Sequence, residues 1–84
     1  MSEEEYNIMD QLYFVTSFED VKDLSGVDDT LVTVILWKFL QSGWIKCFDG
    51  PEQEVEPSEG DFKTSFKKYH YLASKQGLLA HNVR

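Results

Sequence analysis

Cys47, His70 and His81 are the side chains with which a catalytic or metal-binding argument would have to begin. A nucleophilic cysteine needs a base and an orienting group beside it. A structural metal needs ligands at short fixed spacings, and a phosphate cradle needs a glycine-rich turn before a helix. None of these patterns accompanies the three residues. They read as packing and surface residues, with no catalytic, cofactor or metal site, and the chain is not expected to be an enzyme. The acid-rich stretch "DGPEQEVEPSEGD", residues 49–61, offers carboxylates to a divalent ion, but it lacks the ligand spacing and fixed central glycine of a calcium-binding hand.

A second constellation suits phosphate. The segment "FKTSFKKYHY", residues 62–71, interleaves Lys63, Lys67 and Lys68 with Phe62, Phe66, Tyr69 and Tyr71. Cations beside stacking rings are what proteins use on single strands and phosphate backbones. The same letters also describe rings turned into a core with lysines left in water. Charge sharpens the question. All fifteen acids lie in residues 1–61 against only Lys22, Lys38 and Lys46, a net of −12, while residues 62–84 carry four lysines and Arg84 with no acid, a net of +5. The basic end either packs on the acidic body as screened surface pairs, contacts phosphate, or complements a second copy.

Eighty-four residues, 42% hydrophobic and 14% aromatic, are expected to form one domain over 1–84 whose small core depends on its rings. A lone cysteine and an acidic start, "MSEEEYNIMD", point to a soluble protein of the reducing cytoplasm without a signal peptide. The longest apolar run, "LVTVILWKFL", is too short to span a bilayer and is broken by Lys38.

The elements that position these residues follow from caps and periodicity. Ser2 and Glu5 stand at capping-box spacing, and Ile8, Met9, Leu12 and Val15 recur at helical intervals, which predicts a first helix over residues 3–15. Ser17 caps a short second helix marked by Phe18, Val21 and Leu24 and ended by Gly26. Asp28 caps a third helix. On it Leu31, Val32, Ile35, Leu36 and Phe39 share a core face with Leu40 at the margin, and Thr30, Thr33, Val34, Trp37 and Gln41 face outward with Lys38 at the edge. Gly43 ends this helix, and "WIKCF", 44–48, alternates as a strand. Residues 49–61, with two Pro, two Gly, six acids and one aliphatic, Val55, read as a solvated loop. A short helix or irregular segment is expected over 62–68, a strand over 69–72 and a final helix over 74–81.

This order, with "FLQSGWI" (Phe39–Ile45) and "YLASKQGLLAH" (Tyr71–His81), resembles small bacterial transcription regulators of the MarR, ArsR and PadR type. The resemblance implies an α+β, mainly α, winged helix-turn-helix: a three-helix core, a two-stranded wing with a long acidic loop, and a C-terminal helix. It also implies that the outward face of the third helix enters the major groove. The DNA-contact candidates are then Thr30, Thr33 and Lys38, with Asp29 at the helix start and Lys63, Lys67, Lys68 and Lys75 on phosphate. Yet that face holds no Arg or Asn for bidentate base contacts, and residues 49–61 carry no base for the duplex backbone. The expectation is therefore a regulator-type fold that stands alone and acts through protein contacts, with a partner or a second copy, at Val34, Trp37 and Gln41. The alternative is a duplex DNA-binding regulator. Neither a membrane nor a small-molecule substrate is expected.

Overall fold

The computed structural model describes residues 1–50 and 52–82. The chain is α+β and mainly helical, with five helices and a four-stranded antiparallel sheet among the described residues. Helix α1 spans Glu3–Asp10. Ser2 Oγ accepts from the Glu5 N–H at 3.2 Å while the Ser2 N–H donates to Glu5 Oε1 at 2.7 Å, so both arms of the capping box form. The helix stops at Asp10, short of the expected residue 15. Tyr13, Phe14, Val15 and Thr16 are aromatic or β-branched and favour extended backbone. The Leu12 carbonyl accepts from the Ala73 N–H at 2.7 Å, which draws the chain out of the helix.

That exit creates a strand with no counterpart in the sequence reading. β1, Thr16–Ser17, pairs antiparallel with a later strand, Thr16 opposite Tyr71 and Ser17 opposite His70. Helix α2, Phe18–Ser25, follows under the Ser17 cap and ends at Gly26, whose φ of 71° is the left-handed turn expected of a glycine there. Helix α3 spans Asp29–Gln41, and Asp28 Oδ1 accepts from the Thr30 N–H at 2.9 Å and the Leu31 N–H at 3.4 Å. Val32, Ile35, Leu36 and Phe39 are buried as expected. Leu31 and Leu24 are not: they are 37% and 66% exposed, because each sits at the margin of its helix's apolar arc.

Strand β2, Ile45–Asp49, begins one residue later than expected. Residues 49–61 are not a plain loop. Val55, the lone aliphatic there, pairs with Cys47 and packs on the core, so Glu54–Val55 form a short strand β3 against β2. Ser58 then caps helix α4, Glu59–Ser65, by accepting from the Asp61 N–H at 3.1 Å. Strand β4 is Tyr69–Ala73 and helix α5 is Lys75–Asn82. The sheet order is β1-β4-β2-β3, so the two strands expected as a wing are the middle of a wider sheet. Ile45 and Cys47 face Ala73 and Tyr71 on its buried side. No helix among the described residues is long and apolar enough to cross a membrane.

Two close fits lock α5 onto the end of α3. Ser74 donates its N–H to the Trp44 carbonyl at 2.9 Å and its hydroxyl to the Gly43 carbonyl at 2.6 Å. A Cβ built on Gly77 would stand 1.9 Å from the Trp44 carbonyl oxygen, so only glycine lets the helix approach so closely.

Candidate interaction surface

The outward face of α3 is where the expected contact residues gather, and a neighbouring helix changes what it presents. Phe62 of α4 is buried, and its ring stacks on Trp37 with centroids 5.2 Å apart and planes 30° from parallel. Trp37 is therefore half-buried and packed on the core rather than freely exposed. Val34, one turn earlier, stays 58% exposed, and Gln41, one turn later, is exposed.

Depressions lie on either side of Trp37. One, of about 120 Å³, is walled by Thr33, Val34, Trp37, Glu59, Phe62 and Lys63. The other is a groove of about 420 Å³ between the C-terminal half of α3 and the β2–β3 hairpin. Trp37, Leu40 and Gln41 form one wall, and Ile45, Cys47, Val55 and Pro57 contribute to the other, with Glu54 and Glu56 alongside. Helical spacing in the sequence points to Trp37 and Gln41 but not to the hairpin side. Val55 was the available signal, an aliphatic residue isolated among acids.

The DNA-contact candidates are scattered differently. Thr30 is exposed at the start of α3, and the Thr33 hydroxyl donates to the Asp29 carbonyl at 2.8 Å. Lys38 points to α1, where its Nζ lies 2.6 Å from Glu5 Oε2. Glu5 is 7% exposed; burial pushes its carboxyl up, but the Lys38 hydrogen bond, the Ser2 N–H and the Lys38 charge together hold it below the ordinary value of 4.5. Lys63, Lys67, Lys68 and Lys75 are exposed and, among the described residues, make no ion pair. The rings between the first three do not form a stacking platform. Phe62, Tyr69 and Tyr71 are buried and Phe66 is half-buried against Phe18, their centroids 5.0 Å apart.

The three residues with catalytic potential are separated. Cys47 is buried under the sheet, where burial first and Asp49 second push its thiol up to about 12, so it stays protonated at neutral pH. His70 lies on β4 with Nδ1 buried and without a partner among the described residues. His81 joins α5 to α1. Its Nε2 is 2.6 Å from Asp10 Oδ1 and its Nδ1 2.8 Å from the Tyr13 hydroxyl, with the Tyr6 ring 5.3 Å away. A neutral ring meets both partners by donating to Asp10 and accepting from Tyr13. Asp10, Tyr13 and His81 lie outside both depressions, so their evident work is to clasp the two helices. Among the described residues no group of three or more His, Cys, Asp or Glu side chains could hold a metal ion. In comparisons with known proteins, no family model, curated protein or solved structure matches this chain.

Proposed function

We propose that this chain is a domain of the winged-helix type, of the cytoplasm, that works through protein contacts made by the outward face of α3. One observation carries the reading. Phe62 of the chain's own α4 covers Trp37, and Lys38 is engaged by Glu5, so the exposed remainder of that face is Thr30, Val34, Gln41 and the walls of two depressions. A duplex needs cations and base-reading side chains at that position. A protein partner needs apolar surface with a large aromatic at its centre. The element order supports the fold assignment: three helices with a strand after the first, then antiparallel strands, with α4 inserted between β3 and β4, and a closing helix.

The test is affinity capture with the full chain as bait, comparing the unchanged protein with Val34→Glu. Val34 is exposed enough for the variant to keep its fold, which circular dichroism checks. A partner retained by the first bait and lost by the second supports the reading; capture that ignores Val34 removes it.

The exposed lysines on and after α4, which make no ion pair among the described residues, favour a second reading, duplex binding by Lys63, Lys67, Lys68 and Lys75. It requires the Lys67→Glu, Lys68→Glu double variant to abolish binding to mixed-sequence duplex at low salt.

A further inference from the structure

The groove beside Trp37 borders a sheet edge. β3 has β2 on one side and, among the described residues, no strand on the other. An edge strand offers its outward N–H and C=O groups to an added strand, whose side chains then alternate between the two faces of the sheet. At β3 those faces differ in chemistry. Val55, opposite Cys47, is half-buried and walls the groove with Trp37 and Leu40. Glu54, opposite Phe48, is exposed, and Glu56 follows it at the groove. A strand laid along β3 would set one side chain beside Val55 and the next beside Glu54. The first position favours an apolar residue and the second a cation.

Charge selects among occupants. Lys46 is the only cation among the described residues at the groove, whereas Asp49, Glu52, Glu59 and Asp61 flank the acidic pair in sequence. A second copy is poorly matched, since its own β3 edge carries the same acids and the chain's net charge is −7. Building on the protein-contact reading, we infer that the partner docks through an extended segment of alternating basic and apolar residues. That segment pairs with β3, sends its apolar side chains into the groove beside Trp37, and meets Glu54 and Glu56 with Lys or Arg.

The test is an amide-resolved NMR titration of the isotope-labelled full chain with the capped heptapeptide Lys-Ile-Lys-Val-Lys-Ile-Lys. The block peptide Lys-Lys-Ile-Val-Ile-Lys-Lys and n-butylammonium serve as comparisons. The heptapeptide is expected to shift the amides of residues 53–56 and the Trp37 indole. Binding should be about tenfold weaker for the block peptide and in a Glu54→Lys, Glu56→Lys variant, as the loss of several cross-strand pairs implies. Equal binding by the block peptide, shifts reproduced by n-butylammonium, or no shift at β3 would each overturn the proposal. Silence of the heptapeptide with Val34-dependent capture intact overturns this inference alone; capture independent of Val34 overturns the reading beneath it.

Discussion

Glu5 shows how one side chain serves two structures. Its carboxylate closes the capping box of α1 through Ser2 and binds Lys38 of α3, so it joins a local cap to a long-range contact. Because its folded value is lowered, its contribution is fully present above its unfolded value near 4.5 and is lost as pH falls through the lower folded value. Lys38→Met should destabilise the protein by about 1–2 kcal/mol at neutral pH, the scale of a charged hydrogen bond discounted for the solvent around Lys38. Denaturation at pH 7 and at pH 3 checks this: the gap between variant and parent should narrow in acid, and a gap unchanged by pH would refute the linkage. Cys47 makes a simpler prediction. Buried and protonated, it should resist thiol reagents in the native protein and react on unfolding, so labelling should follow the denaturant transition. Gly77→Ala would drive a methyl group into the Trp44 carbonyl, and thermal melts should show a loss of about 1–3 kcal/mol, the range for overpacking.

At the scale of elements, the caps were the most legible part of the sequence. Ser2, Ser17 and Asp28 open helices where their side chains predict, because the interaction is local and needs no tertiary knowledge. The strands Ile45–Asp49 and Tyr69–Ala73 were also close to their expected bounds, since alternation is visible in five residues. Two elements were not legible. β1 exists only because Thr16 and Ser17 meet Tyr71 and His70 across 53 or more residues of chain, a pairing without a local signal. The acidic hairpin hides β3 and the start of α4, because a strand of two residues has too little alternation to read, and the Ser58 cap stands among acids and prolines, upstream of the apolar residues that mark a helix from 62. The contact site suffers for the same reason: a helical wheel places Trp37 outward and has no means of showing that Phe62 covers it, which leaves Trp37 half-buried and packed on the core. Ser58 therefore tests the role of α4. Ser58→Ala should cost about 1 kcal/mol through loss of the cap. It should also change Trp37 fluorescence before global unfolding as Phe62 loosens; coincident fluorescence and circular dichroism transitions would show α4 is not a separable cover.

For the whole molecule, charge is the feature that fold and function share. Fifteen acids against eight cations leave a net of −7, and ion pairs relieve little of it: among the described residues, only Lys22 and Lys38 of the lysines lie within 4 Å of a carboxylate. Self-repulsion on this scale destabilises the compact state and is screened by salt. Added sodium chloride should therefore raise the melting temperature, by about 4–8 °C for each kcal/mol of repulsion relieved in a domain of this size. A fall with salt would mean that the acidic and basic segments attract more than the acids repel. The same field bears on partners, since it disfavours phosphate at the hairpin and favours a basic surface there. The most direct measurement is an amide-resolved titration of the labelled protein with mixed-sequence duplex DNA at low salt, where electrostatic binding is strongest. A face that serves protein contacts gives no shifts along residues 29–41. Shifts there and over residues 63–75 that disappear as salt rises would contradict it and make α3 a DNA-reading helix.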